Sequence, residues 1–241
     1  MNILCIGNSF SQDATRYLHQ VSGETLYVRN LYIGGCSLEM HYNNIIESKA
    51  DYEYQKNGRL MRMISINEAL TKKKWDIITV QQVSQLSGIL ESYEPYLEFI
   101  VGFIKEKCPD AKIMLHRTWA YSDDSTHGGF VNYDRSRPKM FEAIVFATSS
   151  IAKKYGIEII PCGDAVEEAR KMNEFDESVR NITRDGFHMS LDYGRYLTAL
   201  VMFKAFTGKD TREVEYEPCK TEKAINKALK EIANSTLPKI I

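Results

Sequence analysis

The sequence of 241 residues has little net charge and no long apolar run. Its 31 lysines and arginines almost balance its 32 aspartates and glutamates, which leaves a formal net charge of -1. Such a balance produces no overall field that would attract nucleic acid or a membrane surface. No segment approaches the roughly 18 consecutive apolar residues that indicate a membrane-spanning helix. We therefore expect neither nucleic acid nor a membrane among the partners.

Closely spaced metal ligands are also missing. The five cysteines form no CxxC pair, and there is no HExxH motif, so we expect no metal site and no cofactor. Widely spaced cysteines in odd number are typical of free thiols in a reducing compartment. The start, MNILCIGNSF, lacks the basic and apolar regions of a signal peptide, which predicts a cytoplasmic protein with a trimmed secretory signal as the alternative. The oligomeric state stays open.

Short apolar segments alternate with amphipathic segments along the whole chain. The apolar segments, such as IITV, have the length of strands and suit a sheet that helices cover on both faces. This alternation predicts an α/β fold, a three-layer α/β/α sandwich around a mainly parallel five-stranded sheet. The predicted strands are residues 2–6, 25–33, 76–80, 111–116 and 157–160.

Helices are predicted between these strands. The charged stretch from about 38 to 74 is assigned to helix, and Gly156 is expected to end another one. No repeat or linker interrupts the pattern, so we expect one domain over residues 1–241, with a core to about 210 and a helical extension over 211–241. Further helices are predicted over residues 12–21, 93–107, 139–155 and 221–234.

The residues that follow each strand are the candidates for a site, because ligands bind at the carboxyl ends of the strands in such sheets. Ser9 follows the first strand in GNSFS, where it is either a helix cap or a nucleophile. A serine nucleophile needs a base. Of the five histidines, only His188 has an aspartate three residues before it in a glycine-containing turn, Asp185 in DGFH. That carboxylate would orient the imidazole, while a surface turn is the alternative.

Acyl transfer also needs hydrogen-bond donors where negative charge develops. The backbone N–H groups of Ser9 and of Gly35 are candidates, since glycine permits close approach of the backbone. Gln82 and Gln85, after the third predicted strand, are candidates for a side-chain donor, with a polar turn as the alternative.

Other side chains near the same edge are candidate substrate-binding residues. The loop from 117 to 138 is longer than an ordinary connection, and its aromatic residues could either stack on a sugar or form the loop's own small core. The candidates for substrate binding are Asn8, His41, Trp119 and Tyr121.

Taken in order, these segments resemble the conserved blocks of the SGNH/GDSL hydrolase superfamily. GNSFS resembles the first block with Ser9 as nucleophile, IGGCSL the second with Gly35 as the oxyanion glycine, and DGFH the fourth. The third block departs, because TVQQVSQLSG replaces Gly-x-Asn-Asp; Gln85 then stands for the asparagine, with Gln82 as the nearer alternative. The resemblance implies a flavodoxin-like fold with strand order 2-1-3-4-5 and deacylation of small molecules, lipids or acetylated sugars.

We therefore expect a serine hydrolase of carboxylic esters that removes small acyl groups, acetyl in particular, from a carbohydrate or another small molecule. A Ser-His-Asp triad and an acyl-enzyme would carry the reaction. An acyltransferase with the same triad and a non-catalytic ligand-binding module of the same fold are the alternatives. A phosphate binder is disfavoured, because GNSFS lacks the glycines and lysine of a P-loop.

Overall fold

The computed structural model describes residues 1–176 and 179–240. Within them, seven strands form one sheet in the order β4-β3-β2-β1-β5-β6-β7. The pairs among β2, β1, β5, β6 and β7 are parallel. The strands are β1 (Asn2–Gly7), β2 (Tyr27–Tyr32), β3 (Tyr52–Lys56), β4 (Arg59–Ile64), β5 (Ile77–Val80), β6 (Lys112–His116) and β7 (Glu158–Ile160).

The five parallel strands have the predicted order, since β2-β1-β5-β6-β7 is 2-1-3-4-5 when only the predicted strands are numbered. The helical prediction for 38–74 is wrong over its middle part. There β3 and β4 form an antiparallel hairpin that extends the sheet beyond β2. Asn57 and Gly58 both have positive φ, 51° and 72°, which a tight hairpin turn requires. Tyr52 and Tyr54 alternate inward and bury that end of the sheet.

Helices cover both faces of the sheet, as the apolar strands predict. Because neighbouring residues of a strand point to opposite faces, Ile3 and Cys5 belong to one hydrophobic core and Leu4 and Ile6 to the other. The helices are α1 (Ser9–Thr15), α2 (Leu18–Val21), α3 (Leu38–Ile46), α4 (Ile66–Thr71), α5 (Tyr96–Lys107), α6 (Arg137–Tyr155), α7 (Cys162–Ala169), α8 (Tyr193–Thr207) and α9 (Lys223–Ser235).

The last helix is part of the first core. Ile225, Leu229 and Ala233 of α9 are buried among residues of α7 and α8. Gly156 ends α6 in the left-handed conformation with φ +63°, as predicted. In the described part of the chain, no helix combines the length and the apolar character needed to cross a bilayer.

Candidate active site

Ser9, His188 and Asp185 meet at the carboxyl edge of the sheet. Ser9 Oγ lies 2.8 Å from His188 Nε2, and Asp185 Oδ2 lies 2.7 Å from His188 Nδ1. Both distances are those of hydrogen bonds. Since the serine and the histidine are 179 positions apart in the chain, only the fold brings them together.

Ser9 is the first residue of α1 and does not cap it. The cap is Asn8, whose Oδ1 accepts a hydrogen bond from Phe10 N at 3.0 Å. The Ser9 hydroxyl is therefore not needed to satisfy the start of the helix and is available to His188.

The loop that carries Asp185 and His188 is fixed through its backbone. Trp119 Nε1 donates to Phe187 O at 2.7 Å, and Ser122 N donates to Gly186 O at 2.8 Å. Gly186 has φ +83°, and a Cβ at this position would lie 2.7 Å from the backbone of Ser125. Only glycine fits this turn, so the loop after β6 clamps the DGFH segment in place.

A buried aspartate joins the same loop to the helix of Ser9. Asp13 lies in α1 with a fully buried side chain and accepts hydrogen bonds from Met189 N at 3.0 Å and Arg184 Nη1 at 2.9 Å. Its other oxygen pairs with Arg195 at 2.7 Å. Two cations and a backbone donor thus satisfy this carboxylate, which ties α1 to the residues on either side of His188.

The environment of Asp185 favours its charged form. Partial burial raises the pKa of this carboxyl, but hydrogen bonds from the His188 ring and from the backbone N–H groups of His188 and Phe187 outweigh it. The pKa of Asp185 therefore lies below its ordinary value. A carboxylate held in this way fixes the imidazole tautomer that carries its proton on Nδ1, which leaves Nε2 free to accept.

A cavity of about 270 Å³ opens in front of the serine. Gly34 and Gly35 form one wall after β2, and Gly35 has φ +65°. In the described part of the chain, the Gly35 N–H donates to no protein acceptor. The residues that line the cavity are Asn8, Ser9, Phe10, Tyr32, Gly34, Gly35, Val83, Ser84, Gln85, His127, Phe187 and His188.

The two candidate glutamines differ in position. Gln82 is buried; its Oε1 accepts from Leu38 N and Val83 N, and its Nε2 donates to Ser92. It is absent from the cavity lining, so its prediction as an oxyanion donor is wrong: its amide links β5 to the start of α3. Gln85 lines the cavity, and its side-chain amide has no hydrogen-bond partner among the described residues.

Three of the four predicted substrate-binding residues lie within the protein instead. His41 is buried with its Nδ1 2.8 Å from Tyr52 Oη, and burial lowers the pKa of His41 to about 3. Trp119 is fully buried and stacks on Phe10 with ring centroids 4.4 Å apart. Tyr121 is fully buried and bonds Ser84 Oγ at 2.7 Å. These predictions are wrong, because packing turns the side chains away from the edge that their positions indicated.

Asn8 borders the cavity but has no free amide atom. Its Nδ2 donates to Cys36 O at 3.0 Å, and its Oδ1 accepts from Gln81 Nε2 at 2.8 Å as well as from the helix. The side chain therefore joins the turns after β1, β2 and β5, and its contact with substrate stays a prediction.

Tyr32, Val83, Phe187 and His127 line the cavity but are not among the predicted site residues. Phe187 lies within DGFH itself, and Tyr32 is the last residue of β2, so the positions of both residues indicate that they lie near the site. His127 lies in the loop after β6, in the stretch 117–138 whose aromatic residues are predicted either to stack on a sugar or to form a small core. Across the described ranges, no group of three or more histidine, cysteine, aspartate or glutamate side chains could hold a metal ion.

The fold is that of the SGNH/GDSL-like hydrolases. A candidate SGNH hydrolase from Slackia heliotrinireducens superposes with a TM-score of 0.60 at 23% identity, over 86% of this chain and 98% of that one. An acetyl xylan esterase, AlAXEase, superposes with a TM-score of 0.59 at 12% identity, over 85% and 99%.

The chain belongs to the DUF4886 family, a domain of unknown function, whose profile matches residues 2–236. A crystal structure of a DUF4886 family protein from Bacteroides uniformis is 40% identical and superposes with a TM-score of 0.90, over 97% of this chain and 93% of that one. Comparison with curated proteins gives no match.

Proposed function

We propose that this protein is a serine esterase that removes small acyl groups, acetyl in particular, from neutral alcohols such as carbohydrates. The observation that carries the proposal is the continuous set of hydrogen bonds from Asp185 through His188 to Ser9, at 2.7 and 2.8 Å, beside an open cavity. A serine, a neutral imidazole base and a carboxylate in this order are the parts of an activated nucleophile.

In this mechanism His188 Nε2 takes the Ser9 proton as Oγ attacks the ester carbonyl. The imidazolium that forms is stabilised by Asp185, and it then protonates the departing alcohol oxygen. An acyl group remains on Ser9 Oγ. A water molecule, activated by the same histidine, attacks this ester and releases the carboxylic acid.

The developing oxyanion needs preorganised donors. The N–H of Ser9, at the first position of α1, has no intrahelical acceptor. Together with the N–H of Gly35 it would provide two donors. Gln85 would supply the third with its side-chain amide, because it lines the cavity and Gln82 does not.

The cavity supports a small, uncharged substrate. Its volume of about 270 Å³ lies below the range of roughly 300–1,000 Å³ that holds drug-sized ligands, which favours an acetyl group over a long acyl chain. Its lining includes no lysine or arginine to pair with an anionic substrate.

A fluorophosphonate probe and p-nitrophenyl acetate test the nucleophile. We expect the probe to modify Ser9, and S9A to lose turnover by at least about 10³-fold while its thermal unfolding stays close to wild type. S136A is the matched control, because Ser136 Oγ caps α6 by accepting a hydrogen bond from Lys139 N and the residue lies outside the cavity lining. It should keep both labelling and turnover.

A wild-type protein that neither reacts with the probe nor cleaves short acyl esters would contradict the proposal and favour a ligand-binding module. Formation of an acylated product when an alcohol is added, with little free acid, would favour the acyltransferase alternative.

A further inference from the structure

Ser9 and Asp13 lie one turn apart on the same face of α1. They contact two consecutive residues of the opposing segment. Ser9 Oγ lies 2.8 Å from His188 Nε2, and Asp13 Oδ2 accepts a hydrogen bond from Met189 N at 3.0 Å. The helix that carries the nucleophile therefore meets the segment that carries the base at two points, of which one joins nucleophile and base and the other fixes the backbone next to the base.

His188 lies outside the helices and strands, in a turn whose backbone closes on itself. Arg184 N donates a hydrogen bond to His188 O at 2.9 Å, and Thr183 and Met189 form an antiparallel bridge. Residues 184–188 are therefore one unit with Met189. A contact that fixes the peptide of Met189 also fixes the backbone position of the base.

Both polar backbone groups of Met189 are held by one ion pair. Asp13 Oδ2 accepts from the N–H of Met189, and Arg184, which pairs with the same oxygen at 2.9 Å, donates to the C=O of Met189. The other oxygen of Asp13 accepts from Arg195 Nε of α8 at 2.7 Å. Because the Asp13 side chain is fully buried and an ionised carboxylate without partners is costly inside a protein, these contacts are strongly favoured.

The other contacts of the turn do not set the distance between the base and Ser9. Asp185 belongs to the same turn as the base, so its bond to the ring orients the imidazole but does not tie it to α1. The bonds from Trp119 and Ser122 run to the loop after β6. Asp13, in contrast, lies four residues from the nucleophile in the same helix and thus links the position of the base to that of Ser9.

We propose, on the basis of the esterase function above, that Asp13 is a positioning residue that keeps His188 Nε2 at hydrogen-bond distance from Ser9 Oγ by fixing the peptide of Met189. Asp13 is absent from the cavity lining, so it touches no substrate. Proton transfer depends steeply on this geometry, since a displacement of about 1 Å can lower the rate on the order of 10²-fold. Loss of the Asp13 carboxylate therefore lowers kcat and leaves KM nearly unchanged.

Two variants weaken this link. D13N keeps the shape of the side chain but loses its charge, and its amide turns a donor toward one of the arginines. R184Q removes the guanidinium that joins Asp13 to Met189 O, at a side chain that reaches solvent and therefore tolerates the change.

D164N is the matched control for D13N. Asp164 is also buried, and it also accepts hydrogen bonds from an arginine, Arg117, and from a backbone N–H, that of Lys239, each at 3.0 Å. These bonds run neither to α1 nor to the turn of His188. D164N therefore removes a buried ion pair of the same kind without touching the link between nucleophile and base.

Each variant is measured on p-nitrophenyl acetate, with urea unfolding to confirm folding and to compare stability. We expect D13N to lower kcat by about 10- to 100-fold with KM within about threefold, and R184Q to lower kcat by about 3- to 10-fold. D164N should lose stability as D13N does but keep kcat within about twofold. In the H188A background, D13N should change the residual rate by no more than about twofold, because residues that act as a unit are not additive.

Three results would overturn the positioning role and leave the esterase intact: a kcat for D13N within about twofold of wild type, an equal loss of kcat in D164N, or an equal loss from D13N in the H188A background. If D13N does not fold, the same criteria apply to R184Q. A wild type inert to both p-nitrophenyl acetate and the fluorophosphonate probe would instead overturn the esterase function and this inference with it.

Discussion

Two hydrogen-bonded networks start at neighbouring residues of the turn after β1. The Ser9 network runs from Ser9 to His188 and Asp185. The His116 network runs from Asn8 through Gln81 to His116, with contacts of 2.8 and 2.9 Å. Each network has three side chains and contains one imidazole, but the first opens on the cavity and the second is buried.

The difference lies in the partner of each histidine. His188 is bonded on both ring nitrogens, one of them to a carboxylate. His116 meets an amide oxygen on Nδ1, and its buried Nε2 has no partner. Burial lowers the pKa of His116 to about 3, which leaves it neutral and inert at ordinary pH. A histidine near the carboxyl edge is therefore not enough to provide a base. The proposed base, His188, is distinguished by an accessible acceptor nitrogen and by a negatively charged group that orients its ring.

The largest loss of activity is expected from a substitution that makes the Ser9 network resemble the His116 network. D185N replaces the carboxylate with an amide, which no longer selects the required tautomer or stabilises the imidazolium. We expect kcat for p-nitrophenyl acetate to fall on the order of 10³-fold or more, with little change in KM. H116N is the matched change in the other network and should leave kcat within about threefold, since a buried histidine outside the cavity takes no part in proton transfer. Comparable losses in both variants would contradict the distinction.

A smaller effect is expected at the turn after β5. There Gln85 is a candidate donor in the cavity, whereas Gln82 is a buried amide with a structural role. Q85A removes a candidate oxyanion donor and should lower kcat by roughly 10²-fold with little change in KM. Q82A removes hydrogen bonds to Leu38 N, Val83 N and Ser92, so it should instead lower the free energy of unfolding by about 1–3 kcal/mol. Stopped-flow or steady-state kinetics and urea unfolding measure the two quantities. If Q85A stays within about twofold of wild type, only Ser9 and Gly35 supply the donors.

Sequence position predicts much of this site because the fold gathers strand ends at one edge. The alternation of apolar and amphipathic segments predicts the parallel strands, and the resemblance to the SGNH/GDSL hydrolases implies their order, which places Ser9 and Gly35 on neighbouring turns. DGFH was predicted as a unit, and the local hydrogen bonds between Asp185 and His188 explain why such a short segment is self-contained.

The direction of side chains was less predictable. Trp119 and Tyr121 have the positions of substrate-binding residues, but the loop folds over them and buries both. The hairpin of β3 and β4 differs from the predicted helix, because the many charged residues of 38–74 resemble a solvated helical stretch and only the Asn57-Gly58 pair signals a turn. Burial depends on contacts between distant segments, such as Trp119 with Phe10, which a local pattern does not contain.

The smallest expected effect concerns stability and pH, and it tests the burial of the His116 network. In the unfolded chain a histidine takes up a proton near pH 6.5, whereas folded His116 does so only at about 3. Between these values the unfolded state binds more protons, so acidification favours unfolding. The free energy of unfolding should fall by about 1.4 kcal/mol per pH unit for this residue once the pH is well below 6.5. His41 acts in the same direction, because burial also lowers its pKa to about 3.

Replacing His116 removes its contribution to the pH dependence of the free energy of unfolding. Urea unfolding of wild type and H116N at pH 7.5 and 5.5 should show a stability difference that shrinks by about 1.4 kcal/mol on acidification, the integrated effect one unit below the unfolded pKa. Carboxylates with a lowered pKa, such as Asp185, lose their contribution only below about pH 4 and do not act in this window. If the free energies of unfolding of the two proteins changed in parallel with pH, water would have to reach His116 Nε2. The contrast between the inert imidazole of His116 and the accessible one of His188 would then not rest on burial.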